Sequence, residues 1–148
     1  MSEYYAAGLP TPSPEVDPET RPYWDAAERG ELVLPHCEPC GRPFWYPRGF
    51  CPRCGGDDLR WSASDGRGTV DTYSVVRRAG GAWASAVPFV LALVTLDAGV
   101  TVQANIVDCP AGDLAVGLRV AAVFERAEPE DLPVLRFVPV REPEAGAS

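Results

Sequence analysis

Two short cysteine motifs decide the fold of this chain: Cys37-Glu38-Pro39-Cys40-Gly41 and Cys51-Pro52-Arg53-Cys54-Gly55. In each motif the two-residue gap lets both thiolates point at one metal ion, and the glycine that follows permits a tight backbone turn around the sulfur. Four thiolates fill a tetrahedron and leave no position for water or substrate, which is typical of a structural site. The spacing therefore predicts a structural zinc centre with four ligands: Cys37, Cys40, Cys51 and Cys54.

Two other interpretations of the four cysteines are a pair of disulfides and an iron centre. Disulfides suit secreted proteins, but the opening residues, Met1-Ser2-Glu3-Tyr4-Tyr5, do not form the apolar run of a secretory signal. We therefore expect a cytoplasmic location with reduced thiols. Iron occupies all-cysteine tetrahedral sites in rubredoxin-type electron carriers, and the sequence alone does not separate it from zinc. Zinc is favoured because the two motifs form a small part of a longer chain.

Composition argues against two classes of partner. The chain has 148 residues and a formal net charge of -8, and all 13 of its basic residues are arginine. An acidic chain repels phosphate backbones, so nucleic acid is a disfavoured partner. The longest apolar stretch, Phe89 to Val94, has the length of a strand and is far shorter than a membrane span. No membrane partner is expected.

The chain is expected to divide into four parts. Residues 1–31 contain a proline-rich arm and a short helix, and residues 32–64 form a rubredoxin-like zinc ribbon. Residues 65–141 alternate apolar and polar side chains over five short strands, which suits a closed OB-fold barrel. Residues 142–148 are expected to be a disordered tail. The predicted fold class is mainly β, with a short N-terminal helix, a rubredoxin-like zinc ribbon and a five-stranded OB-fold barrel.

Three features predict how these parts pack. The helix, expected over residues 20–30 and ended by Gly30, carries Trp24, which we interpret as the side chain that pins it to the body of the protein. The run Phe44-Trp45-Tyr46 exceeds what a buried ribbon needs, which leaves at least one of these aromatics to face a partner. The strand Phe89 to Leu96 is apolar on both faces, so its outer face must be covered by the helix or by another protein. The five strands are predicted over Thr69–Arg77, Phe89–Leu96, Val100–Val107, Arg119–Phe124 and Val134–Val138.

In these features the sequence resembles the DUF35 family, whose members combine a zinc ribbon with an OB fold and are associated with acyl-CoA metabolism. The resemblance covers roughly Thr20 to Pro139. It is carried by the two cysteine motifs and by four further stretches: Pro22-Tyr23-Trp24-Asp25, Gly66-Arg67-Gly68-Thr69-Val70, Pro88-Phe89-Val90-Leu91-Ala92-Leu93-Val94-Thr95-Leu96-Asp97 and Gly117-Leu118-Arg119-Val120.

The resemblance implies a non-catalytic accessory subunit that binds and completes a thiolase-like enzyme in a hetero-oligomer. Partners of this kind include acyltransferases, thiolases and the lipid-transfer-protein-type aldolases of steroid side-chain breakdown. Contact with acyl-CoA is also implied. Because this chain has no lysine, arginines must meet the CoA phosphates, and Arg77-Arg78 is the only adjacent basic pair. The candidate residues for acyl-CoA or partner contact are Arg77, Arg78, Trp83 and Phe89.

No catalytic residue is predicted. The single histidine, His36, lies beside the first cysteine motif. Cys109 is the one thiol outside the motifs, and its place just after a strand suits a partly buried, inert thiol. Two other functions remain open at this point. One is rubredoxin-like electron transfer by iron, and the other is single-stranded nucleic-acid binding with bases stacked on Tyr73, Trp83 and Phe89.

Overall fold

A computed structural model describes residues 3–141 and confirms the predicted fold class. The chain is mainly β, with one short helix, a ribbon that carries the four cysteines and a closed five-stranded barrel. The expected tail, residues 142–148, lies outside the described residues. The boundaries of the four parts stay a prediction.

The described elements are, in chain order, β1 (Tyr4–Tyr5), α1 (Arg21–Glu28), β2 (Leu32–Cys37), β3 (Arg42–Pro43), β4 (Leu59–Ser64), β5 (Arg67–Val76), β6 (Phe89–Leu96), β7 (Thr101–Ile106), β8 (Cys109–Pro110), β9 (Arg119–Glu125) and β10 (Val134–Pro139). Two short 3-10 helices cover Gly81–Trp83 and Ala111–Asp113. The five barrel strands begin and end within two residues of their predicted bounds.

The barrel closes in the order β10-β7-β6-β5-β9, and β9 pairs with β10. All of its strand pairs are antiparallel except that of β10 with β7. Strand β5 pairs with both of its neighbours at Gly68, which lies opposite Leu96 of β6 and opposite Val120 of β9. A Cβ atom there would lie 2.8 Å from the carbonyl oxygen of Thr95, so only glycine fits where the barrel closes this tightly.

Helix α1 is terminated as predicted by Gly30, which has a φ of 76°. The backbone N–H of Gly30 donates to the carbonyl of Ala27, and the backbone N–H of Glu31 donates to the carbonyl of Ala26. Together these two bonds form a Schellman motif. The helix packs on β2 through Tyr23. Tyr23 and buried residues of β2 belong to the same apolar core as the buried residues of the barrel. Among residues 3–141 no helix has the length and apolarity needed to cross a membrane.

The ribbon is a three-stranded sheet in the order β3-β2-β4. Strand β4 pairs with the whole length of β2, from Leu32 opposite Ser64 to Cys37 opposite Leu59. This strand was not predicted from the sequence. It places the segment after the second cysteine motif beside the segment that enters the first, so the metal ligands lie at one end of the sheet.

The N-terminal arm lies along the barrel. Strand β1 pairs with β8, and the arm side chains Tyr5 and Leu9 are buried against barrel residues. Further along the arm, the Thr11 hydroxyl donates to Asp131 at 2.7 Å. The arm is therefore part of the packed structure.

A buried arginine in β10 holds this arm. The Arg136 side chain is 4% exposed, and its Nε donates to Glu125 Oε1 at 3.1 Å. Its two other nitrogens donate to Asn105 Oδ1 at 3.1 Å and to the carbonyl oxygen of Pro10 at 2.7 Å. Burial lowers the pKa of Arg136, and the hydrogen bond with Glu125 opposes that shift. The guanidinium thus joins three barrel strands and the arm in one network.

Replacing Arg136 should test the strength of this network. We expect Arg136→Ala to lower the free energy of unfolding by about 3 kcal/mol, because it leaves the mostly buried carboxylate of Glu125 without its partner. The matched control is Arg126→Ala, whose more exposed ion pair with Glu28 should contribute less than about 1 kcal/mol. Urea denaturation measures both values. Equal losses in the two variants would contradict the role assigned to Arg136.

Candidate metal centre and contact residues

The two cysteine motifs bring four sulfur atoms to one point. All four Sγ atoms lie within 4.8 Å of one another. The Sγ atoms of Cys37 and Cys54 are 3.6 Å apart, and those of Cys40 and Cys51 are 3.9 Å apart. A tetrahedral zinc ion with bonds of about 2.3 Å to sulfur requires sulfur atoms about 3.8 Å apart. The donor set therefore fits a tetrahedral zinc ion, and the spacing of these two sulfur pairs is close to the tetrahedral value.

Backbone groups hold each knuckle in shape. The N–H of Gly41 donates to the carbonyl of Cys37 at 2.9 Å, and the N–H of Gly55 donates to that of Cys51 at 2.8 Å. Both glycines have a positive φ, 70° and 75°, which explains their place after the second cysteine of each motif. The N–H of Arg53 also donates to Cys51 Sγ at 3.4 Å. The turns thus direct the four sulfurs toward one point.

The environment of Cys51 favours a thiolate. Burial raises the pKa of this thiol, but hydrogen bonds from the backbone N–H groups of Cys54 and Arg53 and from the side chains of Cys37 and Cys54 together lower it to about 6. Although a backbone hydrogen bond lowers the pKa of the neighbouring Cys37 thiol, burial and these side-chain contacts raise it, so that this pKa shifts the other way. Cys37 and Cys51 are fully buried, together with Phe44, in a small cluster separate from the barrel core. With four protein ligands the centre is closed, so a bound zinc ion supplies a cross-link and has no position for substrate.

Two other residues, Cys109 and His36, are candidates for chemistry, and neither belongs to the four-cysteine set. Cys109 is fully buried on β8, its Sγ donates to the carbonyl of Pro110 at 3.3 Å, and burial raises its pKa. His36 lies on β2, where its Nδ1 is buried and stands 3.9 Å from Glu38 Oε1. The pairing of β2 with β3 and β4 explains this burial. Among residues 3–141 no hydrogen bond joins Cys109 to His36.

The four predicted contact residues occupy different environments. Arg77 forms a two-pronged ion pair with Glu3 of the arm, at 2.9 and 2.8 Å, while Arg78 is exposed. The Trp83 and Phe89 rings pack together with centroids 4.8 Å apart. Phe89 is buried against Leu9 and Val107, with Trp83 packed on that cluster. The structure brings the two aromatics together, but they pack inward, and their contact role stays a prediction.

Sequence reasoning missed a second aromatic group between the helix and the ribbon. Trp24, Tyr23, Trp45 and Tyr46 make successive edge contacts, with centroid distances of 4.9, 5.5 and 5.6 Å. The Nε1 of Trp24 is buried and has no hydrogen-bond partner among the described residues. Trp24 does pin the helix, as predicted, but it does so as one member of this row. The signal in the sequence was two aromatic pairs on neighbouring segments, Tyr23-Trp24 and Trp45-Tyr46.

Comparison with known proteins assigns the chain to a family. Residues 24–60 match the family described as "ChsH2, rubredoxin-like zinc ribbon domain", and residues 61–125 match "ChsH2, C-terminal OB-fold domain". A DUF35 domain-containing scaffold protein of Methanocaldococcus jannaschii is 35% identical over 67% of this chain and 71% of its own length. The chain belongs to the DUF35 family. The zinc ribbon of this family and the sulfur geometry together identify zinc as the structural cofactor.

Two further relatives have names that mention enzymes. A chain in the solved structure of an "Ltp2-ChsH2(DUF35) aldolase" superposes with a TM-score of 0.75 at 28% identity, over 85% of this DUF35 chain and 98% of that chain. A protein of Thermomonospora curvata named "Probable enoyl-CoA hydratase alpha subunit" is 31% identical over 84% of this chain. This chain spans 39% of that relative's length.

Metal removal should separate a structural from a catalytic centre. We expect about one zinc ion per chain by elemental analysis, since the site is closed by four thiolates. Cys51→Ser should lose zinc and loosen the ribbon, because metal binding supplies much of the folding free energy of such small units. The control is Cys109→Ser, which should keep the full zinc content. Stoichiometric iron, or a folded ribbon without metal, would overturn the assignment.

Proposed function

We propose that this chain is a non-catalytic, acyl-CoA-associated accessory subunit that binds and completes a thiolase-like enzyme. The partner would be an acyltransferase, a thiolase or a lipid-transfer-protein-type aldolase, and the assembly a hetero-oligomer in the cytoplasm. Breakdown of a steroid side chain is one setting in which such a pair would act. The metal centre would serve only to shape the subunit.

The similarity to the chain in the Ltp2-ChsH2(DUF35) aldolase structure carries this proposal. The two chains match over 98% of the length of that protein. Both the ribbon and the barrel therefore match, and almost none of that chain is left unmatched to form a separate enzyme domain. The name scaffold protein, given to the relative from Methanocaldococcus jannaschii, points to the same role.

The chemistry of the described residues supports a role without catalysis. A nucleophile needs a base within hydrogen-bonding reach. Cys109 donates to a backbone carbonyl, its raised pKa disfavours the thiolate, and the one histidine lies on the ribbon. The zinc ligands leave no open position. The reacting groups would therefore come from the partner.

Acyl-CoA contact is the finer part of the proposal. The relative named as an enoyl-CoA hydratase subunit supports it at the level of the ligand class. Arg78 is exposed, and Arg77 would become available if a phosphate displaced Glu3 from its ion pair. Trp83 and Phe89 would form the apolar wall beside these arginines, because the loop that follows Arg78 leads directly to them.

Activity measurements test the accessory role. The purified chain should show no acyl-transfer, thiolase or aldolase turnover with acyl-CoA substrates, and turnover should appear when a thiolase-like partner recovered by affinity purification is added. Mass spectrometry identifies that partner. Cys109→Ala should leave the turnover of the complex unchanged, because this buried thiol has no base beside it. Turnover by the chain alone that Cys109→Ala abolishes would make Cys109 catalytic and contradict the proposal.

Binding of CoA tests the arginine pair. In the complex, replacing Arg77 and Arg78 together by alanine should weaken CoA binding and make it less dependent on salt, because charge contacts with phosphate are screened. Glu3→Gln should strengthen binding, since it frees Arg77. The control is Arg21→Ala on the exposed side of α1. Isothermal titration measures all three, and unchanged affinity in the first two variants would remove these arginines from the ligand site.

A further inference from the structure

A continuous apolar surface crosses from the ribbon and helix onto the barrel. We call it the junction face and define it by Trp24, Trp45, Tyr46, Leu93, Leu91 and Tyr73. Tyr46 is 53% exposed, and Tyr73, Leu91 and Leu93 are each 37% exposed. Leu91 and Leu93 belong to β6, the strand that the sequence showed to be apolar on both faces. Helix α1 leaves this outer face open.

Three adjoining grooves make the junction face concave. The middle groove, of about 520 Å³, lies between the aromatic row and Leu93. It shares Leu93 and Gln103 with a groove of about 310 Å³ that contains Tyr73 and Leu91. On the other side it shares Trp45 and Thr101 with a groove of about 370 Å³ in the ribbon. A surface of this extent suits a protein chain better than one small molecule.

The two apolar grooves have no charged residue in their walls, whereas the ribbon groove ends at arginines. Arg42 and Arg53 line it, and Arg48 donates to the carbonyl of Tyr46 at 3.2 Å. Arg53 donates to the carbonyls of Arg42 and Pro43. Within residues 3–141 none of these three arginines has a carboxylate partner. In a chain of net charge -8, they form a local site that favours an acidic group.

We propose that the junction face is the docking surface for a partner protein, and that the docking segment presents apolar side chains followed by a carboxylate. The proposal rests on the accessory role above and specifies the chemistry of that partner. Trp, Tyr and Arg are the residues that most often dominate binding energy at interfaces, and all three types meet here.

A second copy of this chain fits the surface less well. Two copies would each bring a net charge of -8 and would bury the same uncharged grooves against each other. The arginines would remain at the edge, where a symmetric pairing offers them no apolar segment ending in a carboxylate. A segment of another protein that carries apolar side chains and a carboxylate contacts both the uncharged grooves and the arginines of the junction face.

A displayed peptide library tests the docking surface even before the partner protein is identified. The zinc-loaded chain is used to select from random dodecapeptides on phage, and synthetic copies of the selected peptides are titrated by calorimetry. We expect peptides that combine aromatic or aliphatic residues with Asp or Glu. Tyr46→Ala should weaken their binding at least about 30-fold, as loss of a central aromatic anchor does. Arg42→Glu should weaken peptides that carry the acidic residue and spare their amide analogues.

Two control variants and a competition experiment with the partner protein complete the test of the docking surface. Val116→Ala removes an exposed apolar side chain outside the junction face, and Arg21→Glu reverses an exposed charge on α1; both should bind the peptides unchanged. The selected peptides should also displace the purified partner. Absence of peptides sensitive to Tyr46→Ala, or a dimer of the chain alone that Tyr46→Ala dissociates, would overturn the proposal. A partner complex that survives Tyr46→Ala overturns the docking surface but leaves the accessory role standing, whereas failure to recover any partner contradicts the accessory role itself.

Discussion

Thiolate coordination is the constraint from which the other features of this protein follow. The ribbon has a small buried cluster of its own, around Phe44, and it cannot fold on hydrophobic burial alone. Zinc joins two knuckles that are separated by ten residues, and that cross-link fixes β2 against β3 and β4. Since Trp45 and Tyr46 leave the first knuckle, the metal also sets where these aromatics meet the helix and the barrel. A structural ion thus controls a surface that it does not touch.

Much of this arrangement could be predicted because the signals are local. The cysteine spacing identified the metal centre. Alternation of apolar residues located the barrel strands, except that a continuous apolar run located Phe89–Leu96. Strand β4 was missed because its residues, such as Arg60 and Ser62, carry little apolar periodicity, and its pairing with β2 joins segments that lie before the first cysteine motif and after the second. The sequence left open whether Trp83 faces a partner or folds back over the barrel, since the small residues around it do not show that Phe89 and Leu9 form a cluster to receive it. Long-range contacts of this kind depend on closure of the barrel.

Arg136 shows the limit of pattern reading in a different way. It lies in a short apolar strand, and the alternation of side chains along a strand would allow an arginine there to point to solvent. In the structure both its neighbours and the arginine itself are buried, and its charge is balanced by Glu125 and satisfied by Asn105 and Pro10. Buried ion pairs add little net stability, but they penalise any arrangement that leaves one charge unpaired. Here that penalty selects the single placement of the arm in which a backbone carbonyl completes the network.

The carbonyl of Pro10 and the side chain of Arg136 bond to each other but are synthesised at different times on the ribosome. Pro10 is made 126 residues before Arg136. The ribbon needs only contiguous residues and zinc, so it can assemble while the barrel strands are still being made. The arm, in contrast, cannot complete its hydrogen bond with Arg136 until β10 has been made. Its polar, proline-rich composition suits that interval, since such a segment stays hydrated and resists premature pairing.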